Sequence, residues 1–186
     1  MSRRGARRRG MAVGALALAA ATLPALVERP WWAIAAGLSL CLVAAAIAVE
    51  DMAKMLIPDG LTATVAVIGL VLFALEGGDA IAFAWLAAYA FLTAATLFAV
   101  SLAYARLRDR EGIGFGDVKL VGASALLVGP WGVAMQVLLA STAAILFVVI
   151  RAIRRRRPLR SVARVPFGAF LAPSLVIVWA WLGPLP

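Results

Sequence analysis

Nine carboxylates and no histidine define the chemistry open to this 186-residue chain. The single cysteine, Cys41, sits inside an apolar run. There is accordingly no Cys-x-x-Cys pair for zinc, no partner for a disulfide, no HExxH motif and no histidine base to activate a serine or cysteine nucleophile. Acid–base catalysis would fall to Asp and Glu, or less usually to Lys or Tyr. Glu28, Glu76 and Asp79 occupy short polar breaks, and Asp109 and Glu111 stand among arginines, so all five read as solvated loop charges. Asp59 follows Pro58 and precedes an apolar segment starting at Leu61, the position of a helix N-cap. Glu50, Asp51 and Asp117 remain, each at the end of an apolar segment.

The elements that would carry them are membrane helices. Hydrophobic residues make up 65% of the chain and the mean hydropathy is +1.00, far above the roughly 45–50% apolar content of soluble domains. Apolar segments run at 11–27, 31–50, 61–75, 80–104, 118–129, 131–150 and 167–183. Backbone in lipid must satisfy its own hydrogen bonds, so these read as helices. The expected fold is an all-α polytopic membrane protein of about seven transmembrane helices, or six if the first segment is removed as a signal peptide. Residues 1–10 form a basic tail and 11–186 a single membrane domain.

The net charge of +9 invites a nucleic-acid reading, but its distribution points to membrane topology instead. Arg3, Arg4, Arg7, Arg8 and Arg9 precede the first apolar run, and seven arginines from Arg151 to Arg164 follow a later one. With the N-terminus inside, alternation of the seven segments puts 17 of the 18 basic residues in the cytoplasm and only Arg29 outside. That count needs the short 118–129 segment to cross; otherwise one of the two later arginine clusters would be carried outside. It also predicts contact with anionic lipid and no nucleic-acid partner.

This topology puts Asp51 and Asp117 on the same membrane face, at similar depth, although 66 residues separate them. An ionised carboxylate near hydrocarbon costs about 2.5–3.5 kcal/mol at a helix centre and less near the ends. One reading makes each an interfacial carboxylate paired to Lys54 or Lys119. The other makes them a dyad. Two aspartates facing each other retain one proton between them; the ionised member takes a proton from water as it attacks a peptide carbonyl, while the protonated one hydrogen-bonds the carbonyl oxygen. In the stretch GIGFGDVKL, Gly114 and Gly116 permit close backbone approach beside Asp117, room for a substrate strand or simply a helix-initiating loop.

These residues resemble the type IV prepilin peptidases, membrane aspartic proteases of the GxGD class. Asp51 is followed by MAKML and then Ile57-Pro58-Asp59, similar to the family's Ile-Pro loop after its first aspartate. Gly114-Phe115-Gly116-Asp117-Val118-Lys119 is similar to its GxGD, apolar residue, lysine motif, and VPFGAFLAPS at 165–174 resembles the Pro-Phe-Gly segment opening its last helix. The resemblance covers roughly residues 35–180. It implies Asp51 and Asp117 as the catalytic pair, with Gly114, Gly116, Pro58 and Lys119 as motif support. It further implies cleavage of the basic leader of prepilins or pseudopilins, commonly after a glycine, at the cytoplasmic face of the inner membrane. The products would serve a type IV pilus, a Tad-like pilus or type II secretion.

Two departures qualify the resemblance. Long family members carry a zinc region with two Cys-x-x-Cys pairs, associated with N-methylation, and this chain has one cysteine; the expectation is a peptidase with no metal and no cofactor. Glu50 directly precedes Asp51 and, on a helix, points about 100° away from it. Presenilin-like proteins also use GxGD but pair it with Tyr-Asp, where this chain reads Val49-Glu50-Asp51. Two other readings are a proton- or cation-coupled transporter and an inactive family member acting as a scaffold. The transporter calls for carboxylates near the midplane and broken helices in symmetric halves.

Overall fold

A computed structural model describes residues 3–26, 29–108, 113–155 and 165–182. Glu28, Asp109, Arg110, Glu111, Arg156, Arg157, Arg160 and Arg164 lie outside the described residues. Among those described there is no strand, as apolar segments that close their own hydrogen bonds require. Six helices follow in order: α1 (Arg3–Leu26), α2 (Trp31–Lys54), α3 (Asp59–Leu75), α4 (Ala80–Arg108), α5 (Phe115–Arg155) and α6 (Gly168–Leu182). Trp31–Lys54, Ala80–Arg108 and Phe115–Arg154 are long and apolar enough to cross a membrane, and shorter apolar helices accompany them. The chain is a polytopic all-α membrane protein.

Several helix ends fall outside the apolar runs that betray them. The helix of α1 begins at Arg3, well before the expected start at residue 11, and α2 continues past residue 50, so Asp51 lies within its final turn. The segments 118–129 and 131–150 belong to one element, α5, broken at Gly129. There φ is 61° and ψ −175°, a conformation essentially confined to glycine. Pro130 follows and has no N–H to continue the ladder. The break reverses the chain: Gln136 Nε2 donates to Ser124 Oγ at 3.1 Å, a contact twelve residues along that a straight helix would hold about 18 Å apart. The arms 115–128 and 130–155 are therefore a helical hairpin, and the expectation of two segments at this place matches its geometry.

The core lies between α2, α5 and α6. Leu40, Ile47, Leu120, Leu171, Leu175 and Trp179 are all almost completely buried there. Gln136 and Ser124 are equally enclosed; Gln136 Nε2 also donates to the Leu171 carbonyl at 3.1 Å, tying both arms of α5 to α6. Such interhelical hydrogen bonds supply adhesion that apolar contact cannot, because lipid tails compete equally for apolar surface. The outermost helix is α4, which packs chiefly on α5 and buries only Leu86, leaving Phe83, Trp85, Phe91 and Phe98 exposed in the manner of a lipid-facing helix.

Helix α6 spans the bundle between two polar anchors. Its first turn meets Asp51. At its other end Arg29 Nη2 donates to the Ala180 carbonyl at 2.8 Å, and the guanidinium lies 5.4 Å from the centre of the Trp179 ring. Arg29 thus stands at the opposite end of the bundle from Asp51, as the charge count required.

Candidate active site

Asp51 and Asp117 reach one cleft from helix ends that run in opposite senses. Asp51 projects from the last turn of α2, which Met55 terminates by adopting φ 53°, ψ 44° and donating its N–H to the Asp51 carbonyl at 2.8 Å. Asp117 lies in the first turn of α5, where its N–H and that of Val118 bond the Gly114 carbonyl at 3.0 and 3.3 Å. The positive end of a helix dipole favours a carboxylate at the second position and the negative end disfavours one at the first. Helix α6 offsets this. The Ala169 N–H, in its first turn, donates to Asp51 Oδ2 at 2.8 Å, so each aspartate faces a helix N-terminus.

The cleft has a volume of about 430 Å³ and is lined by Asp51, Ile57, Gly114, Gly116, Asp117 and Lys119, together with their loop neighbours. That size suits a few residues of an extended peptide. Asp51 is 5% exposed, Asp117 is half-buried, and the charge of Asp51 acts on Asp117 across the cleft. No lysine or arginine pairs with either one among the described residues. The nearby cations are engaged elsewhere. Lys54 pairs with Glu50 at 2.8 Å along α2, and Lys119 pairs with Asp59 at 2.8 Å across the cleft mouth. The interfacial ion-pair reading therefore fits Glu50 and Asp59, not the two aspartates that share the cleft.

Asp59 departs from expectation. The N-cap of α3 is Pro58, whose carbonyl accepts from Leu61 and Thr62 at 3.1 and 3.3 Å, and no side chain caps the helix. Asp59 is the first residue of α3, and its carboxylate is turned to Lys119. Two other loop carboxylates are also engaged: Asp79 Oδ1 caps α4 by accepting from the Ala82 N–H at 2.7 Å, and Glu76 lies within reach of the Arg29 charge. Burial pushes the Glu76 carboxyl up and Arg29 draws it back.

Of the motif residues, Gly114, Gly116 and Lys119 line the cleft, and Pro58 starts the helix beside it. Phe115 supports that wall: its ring lies 6.0 Å from Phe98 of α4, and Lys119 Nζ lies 4.7 Å above it. Sequence reasoning missed two contributors. The Ala169 N–H is backbone, which no side-chain pattern reveals, and the sequence shows Ile57 only as part of the Ile-Pro motif, with no role of its own at the cleft. Among the described residues no cluster of His, Cys, Asp and Glu could hold a metal ion.

Residues 38–149 match the sequence profile of the type IV leader peptidase family, a span that takes in both aspartates, the Ile-Pro loop and the GxGD stretch. The chain belongs to this family. Among curated relatives it is 31% identical over 165 residues to a prepilin leader peptidase/N-methyltransferase of Aeromonas salmonicida (strain A449). It is 34% identical over 161 residues to the protein of the same name from Aeromonas hydrophila. Each alignment covers 84% of this chain and 53% of the relative, so the chain spans about half the length of these curated relatives. No solved structure matches it.

Proposed function

We propose that this chain is an aspartic endopeptidase that cleaves the basic leader from prepilins or pseudopilins at the cytoplasmic face of the inner membrane. The observation that carries the reading is the convergence of Asp51 and Asp117, unpaired to any described cation, on one cleft at the end of the bundle. Family membership supports the substrate class, and the names of the Aeromonas relatives agree with it.

The scissile peptide lies in the cleft with a water held between the carboxylates, which share one proton. The ionised carboxylate takes a proton from the water as its oxygen attacks the carbonyl carbon. The protonated carboxylate hydrogen-bonds the carbonyl oxygen and stabilises the charge that develops there. Collapse of the tetrahedral intermediate breaks the C–N bond, and a carboxylic proton passes to the leaving nitrogen. The position of both aspartates in terminal helical turns supports chemistry at the membrane face rather than an ion path through its midplane. The basic flanks support a cytoplasmic orientation.

The test is co-expression with a candidate prepilin and measurement of its size shift for wild type, Asp51→Asn and Asp117→Asn. Each variant should accumulate in the membrane at wild-type level and leave the prepilin uncut. Normal processing by either variant would refute the dyad.

A further inference from the structure

Ile57 belongs to the loop between α2 and α3, yet it is only 7% exposed, because it is wedged between two backbones from distant parts of the chain. A Cβ built on Gly116 would lie 3.2 Å from Ile57 Cβ and 3.5 Å from its Cγ1. One built on Gly168 would lie 2.6 Å from Ile57 Cδ1 and 3.0 Å from Cγ1. Gly116 precedes Asp117, and Gly168 precedes Ala169, whose N–H holds Asp51. A single aliphatic side chain therefore presses on the backbone that positions each carboxylate. A methyl at either glycine would crowd Ile57, so a side chain there must displace Ile57 or the helix start that carries it. A β-branched residue suits this place because its stiff χ1 holds Cβ and Cγ1 against Gly116, while Cδ1, set by χ2, reaches on to Gly168.

We propose that Ile57 is a positioning residue, a rigid spacer between the starts of α5 and α6 that sets the separation of Asp51 and Asp117. The proposal rests on the peptidase reading above. Ile57 contributes no polar atom to the reaction and acts through the backbones of Gly116 and Gly168. Shortening it lets those helix starts settle closer, which alters the chemical step more than the binding of a peptide that spans the whole cleft. Misplacement of reacting groups by about 1 Å costs on the order of 10²-fold in rate.

The experiment measures kcat and KM of the full chain purified in detergent micelles. The probe is a synthetic peptide with a basic leader, a glycine before the scissile bond and a following apolar segment. Thermal midpoints in the same micelles report folding. Ile57→Ala should lower kcat by about 10- to 100-fold while KM changes by less than about threefold. Ile57→Val, which loses only Cδ1, should show a smaller fall in kcat at an unchanged midpoint. Gly168→Ala should be impaired because its methyl meets Cδ1, and Ile57→Ala/Gly168→Ala should regain part of the lost kcat. The recovery is partial, since that methyl also lies 3.1 Å from Asp51 Oδ2. Wild-type kcat in Ile57→Ala, a defect confined to KM, or a double variant no better than Gly168→Ala would overturn the spacer. An Asp117→Asn control that still cleaves would instead overturn the dyad reading beneath it.

Discussion

At the scale of residues, the cleft separates carboxylates held by cations from carboxylates held by backbone. Asp59 is exposed and bound to Lys119, whose own side chain is half-buried. Ion pairs of this kind contribute little to stability, since water screens them and two side chains must be ordered. In a double-mutant cycle of Asp59→Ala and Lys119→Ala, thermal unfolding in micelles should give a coupling below about 1 kcal/mol. A coupling of several kcal/mol would mean the pair clamps α3 to α5. Asp51 differs, because its partner is the Ala169 N–H, and removing its charge leaves that contact available to an asparagine oxygen. For that reason Asp51→Asn is the conservative test of chemistry, whereas Asp51→Ala would also unpin α6.

At the scale of elements, the hairpin in α5 brings Asp117 and the stretch holding Arg151 and Arg154 to one end of the bundle. Its reversal depends on Gly129, whose φ of 61° with ψ of −175° excludes ordinary side chains. Gly129→Ala should destabilise the chain by about 1–3 kcal/mol, read as a lowered thermal midpoint, with loss of membrane accumulation at the upper end of that range. An unchanged midpoint would show that the turn tolerates another conformation. The segments themselves were legible in the sequence because hydrocarbon-spanning runs announce themselves. Their ends were less so: Asp51 and Asp117 lie inside helices whose terminal turns are polar, and hydropathy falls off before the hydrogen-bond ladder does. The aspartate pair was found because a charge at the end of an apolar segment needs a reason. Ile57, Gly168 and the Ala169 N–H were not assigned roles, because their contacts join segments about 60 to 120 residues apart and leave no local periodicity. Asp59 was read as a cap from its place after Pro58, and the cation on α5 claimed its carboxylate instead.

At the scale of the whole molecule, polarity is divided between the two ends. One end carries the aspartate cleft, and at the other Arg29 caps α6 beside Trp179 and near Glu76. The positive-inside argument assigns the first end to the cytoplasm. Cysteines introduced at the two exposed ends of α4 test this, because Cys41 is 1% exposed and gives little background. In intact cells, Ala80→Cys should react with a membrane-impermeant maleimide, while Arg108→Cys should react only after permeabilisation. The reverse pattern would turn the cleft outward and remove it from a cytoplasmic leader. The central claim, that two aspartates act as one catalytic unit, is tested most directly by kcat for Asp51→Asn, Asp117→Asn and the double variant on the leader peptide. The account predicts that each single variant loses about 10²–10⁴-fold and that the double variant loses no more than either alone. A single variant that keeps wild-type kcat, or losses that multiply in the double variant, would contradict it.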